Sequence, residues 1–153
     1  MSFSSVGDII NFAIEKEKEA VSFYQDLSKL ETASGAKETF HKFSKEEEKH
    51  VTMLENFLKN KKLAEEYQFK NITDLKISDY LVDVKYDQNM SYPDRLRLAM
   101  KREEKSLAMY REISSKAKDN EQLKIFNILA QEEANHKQII ETIYDDYMAE
   151  QGN

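Results

Sequence analysis

The chain repeats itself at a spacing of 86 residues, and this repeat narrows what it can fold into more than any other feature. Aligned without a gap from Ser5/Ser91 to Asn60/Asp146, the two copies share eleven identities over 56 pairs. Among these are Glu17 with Glu103, Tyr24 with Tyr110, Phe40 with Phe126, Glu47 with Glu133 and His50 with His136. Self-similarity at a fixed register means one supersecondary unit used twice, so the chain reads as two hairpins sharing a single core. The unit is helical, because its apolar residues step by three and four. The stripes run through Ile10, Ile14, Val21 and Tyr24; Phe40, Phe43, Leu54 and Phe57; Leu96, Met100, Leu107 and Tyr110; and Phe126, Leu129, Ile140 and Ile143. With three Gly, one Pro and a third of its residues charged, the composition suits long helices with few tight turns.

Boundary signals agree between the copies. Ser5-Val6-Gly7-Asp8 and Ser91-Tyr92-Pro93-Asp94 each offer a capping hydroxyl with an acid three residues on. Proline is tolerated in a first turn because its missing amide has no intrahelical acceptor to lose. These signals predict helix one from after Ser5 to about Leu30, a turn at Ser34-Gly35, and helix two from about Lys37 to Lys59. Helix three is predicted from about Pro93 to Lys116. Helix four, capped at Asp119-Asn120, should continue to about Met148. The hairpins 5–60 and 91–146, joined by a linker over 61–90, make one domain spanning 1–153. A 25-residue helix is about 37 Å long, and about 11 extended residues cover that distance. The linker can therefore run the length of the bundle, letting helices two and three lie parallel. Its apolar stretch Ile72–Leu81 is expected to cover the bundle or meet another subunit, with 72–82 as a short outer helix.

Composition excludes several classes. A net charge of -6 with scattered Lys and Glu forms no basic stripe, which argues against nucleic acid as a partner. No apolar run approaches the roughly 20 residues of a spanning helix, and the N-terminus lacks a leader pattern, so a soluble cytoplasmic protein is expected. Without cysteine, any iron must be held by oxygen and nitrogen.

Glutamate is abundant, and position on the apolar stripes selects among its copies. Glu17 interrupts the first stripe, Glu47 and His50 the second, Glu103 the third, and Glu133 and His136 the fourth, all at one level. Glu47-x-x-His50 and Glu133-x-x-His136 put a carboxylate and an imidazole on one helical face. Glu15, Glu19, Glu46, Glu48, Glu104 and Glu132 lie off the stripes, as solvated or supporting groups. His41 also lies off them and is given no role. Burying four carboxylates without compensation is costly. Two divalent cations match the four charges, with Glu17 and Glu103 as terminal ligands, Glu47 and Glu133 as bridges, and His50 and His136 as one nitrogen for each ion. The ligand set suits iron or manganese, and zinc can occupy it. Tyr24 and Tyr110, seven residues after Glu17 and Glu103, are core aromatics whose hydroxyls need a buried acceptor, and a ligating carboxylate is one.

A Glu from each of two helices plus Glu-x-x-His from each of the other two is the ferritin-like di-metal carboxylate pattern. Within it the chain most resembles the four-helix domain of rubrerythrins and related erythrins, on Glu17 with Tyr24, Glu47-x-x-His50, Glu103 with Tyr110 and Glu133-x-x-His136. The resemblance implies an all-α, antiparallel four-helix bundle with a long crossover between helices two and three, enclosing two iron ions. It implies reduction of hydrogen peroxide or dioxygen as iron is oxidised, in defence against oxidative stress, with Tyr24 and Tyr110 as catalytic helpers. It also implies a homodimer. Two departures stand out. Rubrerythrins usually carry a cysteine-ligated rubredoxin domain, so this cysteine-free chain would draw electrons from a separate protein such as a rubredoxin. Their extra carboxylate three residues after the terminal Glu of helix three is here Ser106, with Ala20 as its repeat mate, leaving a symmetric six-residue site. Iron handling with a single oxidation, or a helical interaction module with a structural metal, are the alternative readings.

Overall fold

The computed structural model describes residues 6–59, 80–82, 85–116 and 120–151. Four helices carry the fold: α1 (Val6–Ser28), α2 (Lys37–Lys59), α3 (Tyr92–Lys116) and α4 (Asn120–Gln151). The helix two boundaries match the prediction. Helix α1 stops two residues before Leu30: the Ser28 hydroxyl turns back to the Gln25 carbonyl at 2.7 Å, and Leu30 is extended. The expected turn at Ser34-Gly35 is a short 3-10 helix, Glu31–Ala36. Helix α3 begins one residue before Pro93, with the Asp94 amide donating to the Ser91 hydroxyl at 3.3 Å, the cap read from the sequence. Helix α4 runs past Met148 to Gln151. The caps at Ser5 and Asp119, and the linker stretch 60–79, lie outside the described residues.

Side-chain pairings set the helix directions. Tyr24 meets Phe40 and Phe43 while Glu17 meets His50, so α1 and α2 are antiparallel. Tyr92 meets Tyr147 while Tyr110 meets Phe126, so α3 and α4 are antiparallel as well. Across the bundle, Tyr24 bonds Glu103 and Tyr110 bonds Glu17, which makes α1 antiparallel to α3. It follows that α2 and α3 run parallel, as the long linker allowed. Phe57 and Phe126 close one end, with ring centroids 5.8 Å apart, and Tyr92 with Tyr147 closes the other. The connection from α2 to α3 must therefore travel the length of the bundle.

Two described parts of that connection show where it lies. Tyr80 is buried in the same core cluster as Ile9, Ile10 and Met109, whereas its neighbour Leu81 is exposed. Tyr86 packs edge-on against Phe23, centroids 5.0 Å apart, nearer the opposite end. This cover explains why α1 and α3 bury more than the stripes implied. Phe23 and its repeat mate Met109 lie off the stripes, yet both are buried. Arg95, mate of Ile9, fastens the connection: its guanidinium donates to the carbonyls of Met90 and Gln88 and to the Tyr86 hydroxyl, which in turn donates to Asp26.

The interior divides into two apolar halves. One gathers Leu54, Phe57, Tyr110 and Phe126, and the other Tyr24, Phe40, Phe43 and Leu96. Complete burial of a phenylalanine such as Phe40 or Phe126 contributes about 2–3 kcal/mol. Between the halves lies a polar layer.

Candidate metal centre

That layer consists of the six residues that interrupt the stripes. Glu17, Glu47, His50, Glu103, Glu133 and His136 are each at most 3% exposed. They form two groups, Glu17-Glu47-His50-Glu133 and Glu47-Glu103-Glu133-His136, in each of which the ligand atoms lie within 4.8 Å of one another. Glu47 and Glu133 belong to both groups, the arrangement expected of bridging ligands. His50 Nδ1 sits 3.0 Å from Glu133, 3.3 Å from Glu47 and 3.4 Å from Glu17. His136 Nδ1 sits 3.0 Å from Glu47 and 3.5 Å from Glu103. The two imidazoles lie nearly parallel, 6.4 Å apart.

The other side of four of these ligands is tied down by a residue from the opposite repeat. The Tyr24 hydroxyl donates to Glu103 Oε1 at 2.5 Å, and the Tyr110 hydroxyl to Glu17 Oε1 at 2.6 Å. Each histidine turns Nε2 away from the cluster, His136 to Glu46 at 2.5 Å and His50 to Glu132. A carboxylate on the outer nitrogen fixes the ring and makes the inner nitrogen the available ligand atom. Phe43 stacks on His136 at 4.1 Å and holds it from the side. Sequence reasoning left Glu46 and Glu132 among solvated or supporting groups; both are half-buried and support the histidines. The signal lay in the repeat, since they are identical mates immediately before each Glu-x-x-His. Glu15, Glu19, Glu104 and His41 are exposed.

The inward atoms lack partners. Glu17 Oε2, Glu47 Oε2, Glu103 Oε2, Glu133 Oε1 and His50 Nδ1 are buried without a directed hydrogen bond. Unpaired buried polar atoms are expensive, and so many converging on one small volume fit cations better than they fit one another. Carboxylate oxygens with imidazole nitrogens are a donor set for iron, manganese or zinc.

Electrostatics agree. Burial, with repulsion from Glu103 and Glu47, pushes the Glu133 carboxyl well above the usual range. Glu47 is also pushed up by burial, but the hydrogen bond from His136 and the nearby imidazole of His50 outweigh this and leave it lowered. Burial disfavours charge on His50, yet Glu47 and Glu132 raise it to about 9; Glu103 and Glu47 likewise raise His136 to about 10. Tyr24 and Tyr110 are pushed well above the phenol range, by burial first and then by nearby carboxylates, so they stay neutral donors. The cluster holds protons that a cation would displace.

If Glu46 and Glu132 orient the ligands, Glu46→Gln and Glu132→Gln should each weaken metal binding by about 10–100-fold without loss of helicity. Competition against a chelator measures this, and unchanged affinity in both variants would remove the orienting role.

A four-helix bundle around a buried carboxylate and imidazole cluster able to hold metal ions defines a class of protein. The chain matches the ferritin-like domain over residues 5–145, and it belongs to that family. It is also similar to the solved structure of a hypothetical protein from Pyrococcus furiosus, with a TM-score of 0.68 over 92% of this chain and 89% of that one. At 23% identity, this likeness speaks for the fold. No curated protein matches the chain. Among the described residues, no helix is long and apolar enough to cross a membrane.

Proposed function

We propose that the protein is a di-iron carboxylate oxidoreductase of rubrerythrin-like type, reducing hydrogen peroxide or dioxygen. The observation that carries this reading is the pair of four-residue groups sharing Glu47 and Glu133, which suits two ions side by side. Two ferrous ions held there would supply one electron each, enough to reduce peroxide, with two protons, to two molecules of water. The chain's own residues set the conditions. Glu17, Glu103, His50 and His136 hold one end or the other, and the apolar halves cover the layer above and below. Tyr24 and Tyr110 each donate a hydroxyl proton in a hydrogen bond to a terminal carboxylate's outer oxygen, within the layer where the reaction would consume protons.

Electrons would come from a separate donor protein such as a rubredoxin, in the cytoplasm. The chain would pair as a homodimer, for which Ile128 and Ile139, exposed along one line of α4, offer an apolar surface. Iron handling with one oxidation event is the second reading. It is favoured by Ser106, which stands where rubrerythrins carry a further carboxylate and leaves the cluster at six residues.

Anaerobic loading with ferrous iron, followed by peroxide and an external reductant, separates these readings. Two irons per chain and repeated peroxide consumption are expected. A single oxidation without turnover would favour iron handling, and bound metal without redox change would leave a structural role.

A further inference from the structure

A cavity of about 370 Å³ lies between α1, α3 and the connecting residues Tyr80, Val82 and Tyr86. Peroxide needs little more room than water, whose share of the liquid is about 30 Å³. The cavity instead falls at the lower end of the roughly 300–1,000 Å³ range of small-molecule sites. Its inner wall includes Glu47, Glu103 and Glu133, so it abuts the candidate metal centre. Three pairs of repeat mates line it: Lys16 and Arg102, Glu19 and Lys105, Ala20 and Ser106. The small side chains of the last pair leave the space open.

The lining has two chemical parts. Phe23, Tyr80, Val82 and Met109 are apolar over most of their surface. Lys16, Lys85, Arg102 and Lys105 are cationic. Lys16 pairs with Glu19 at 3.3 Å, but among the described residues Lys85, Arg102 and Lys105 form no ion pair. The Arg102 guanidinium lies over the Phe23 ring, 4.8 Å from its centroid, at the junction of the two parts. With Glu47, Glu103 and Glu133 compensated by bound cations, Glu19 is the one acid left among the described lining residues to offset four basic groups.

We propose that this cavity binds a small amphipathic organic carboxylate of about eight carbons in all. The carboxylate faces Arg102 and Lys105, and the body lies against Phe23, Tyr80 and Met109. Glu103 and Tyr24 line the cavity while Glu17 and Tyr110 do not, so the ligand sits beside the Glu103 half of the cluster. The inference rests on the proposed metal centre in one respect, the compensation of the three inner acids.

Equilibrium dialysis of labelled octanoate against the manganese-loaded full chain tests it, with the manganese content measured on the same sample. Octylammonium and octanol share the body without the negative charge; acetate shares the charge without the body. Octanoate should bind at least about tenfold more tightly than each of the three, judged by competition. Ser106→Phe should fill the cavity and abolish octanoate binding with two ions retained. Arg102→Gln, a gentler change should that variant disturb the bundle, should weaken it about tenfold. Octanoate that fails to bind, binds no better than octylammonium, or is indifferent to both substitutions would overturn the proposal. Two ions without octanoate binding would sink the cavity assignment alone. Octanoate binding with fewer than two ions would sink the dinuclear reading alone.

Discussion

Replacing Glu47 by alanine should strip both ions from the chain, whereas Glu17→Ala should weaken one of them. Glu47 belongs to both four-residue groups, so its loss leaves each with three ligands. The loss of affinity should exceed the roughly 10–100-fold that removal of an outer partner costs. Glu133→Ala should behave the same way towards metal. Element analysis after reconstitution, with helicity checked on the same sample, reads the result. One ion retained at wild-type affinity in Glu47→Ala would show that the carboxylate does not bridge.

Metal loading should raise thermal stability strongly, and by more at alkaline than at acid pH. An ion that binds the native chain alone adds about 4 kcal/mol for each site at a free concentration a thousandfold above its Kd. The pH dependence comes from the metal-free chain. His50 and His136 are raised from the ordinary 6.5 to about 9 and about 10, so their contribution is complete below about pH 6.5 and is lost as pH rises through those values. Glu133, also raised, acts in the same direction, because its ionisation is resisted in the folded state. Glu47 is lowered and acts oppositely: its contribution is present above about 4.5 and is lost on acidification. The metal-free chain should therefore weaken from about pH 6.5 towards about pH 10. In the loaded chain the ions have replaced those protons, and the difference in Tm between the two forms should widen over that interval. Thermal unfolding with and without manganese, together with proton release in weakly buffered solution, checks both parts. A difference that narrows with pH, or uptake without proton release, would contradict the arrangement.

How far such a site can be read without coordinates depends on which contacts are local. The interruption of four apolar stripes at one level, by Glu17, by Glu47 and His50, by Glu103, and by Glu133 and His136, follows from helical period alone. Residues three and four apart share a face wherever the helix is placed. The 86-residue repeat then brought two such hairpins together, and the capping signal at Ser91 placed the start of α3 to within a residue. These features depend on neighbours in the chain, and they were legible for that reason.

Partners across helices were not. Tyr24 lies on the same helix as Glu17 yet donates to Glu103, and Tyr110 donates to Glu17, because α1 and α3 run antiparallel and bring each tyrosine level with the other helix's acid. In the sequence Glu46 and Glu132 are two among six acids that read as solvated or supporting groups, and the packing of α2 against α4 sets each on the other's histidine. The sharpest divergence is in symmetry. The repeat makes the two halves of the cluster equivalent, but the connection carrying Tyr80 and Tyr86 covers one face of the bundle, and beneath it the cavity reaches Glu103 and not Glu17. Periodicity along a helix is set residue by residue, whereas the place where a connecting segment settles depends on the packing of surfaces that are far apart in the chain and meet once the bundle has formed.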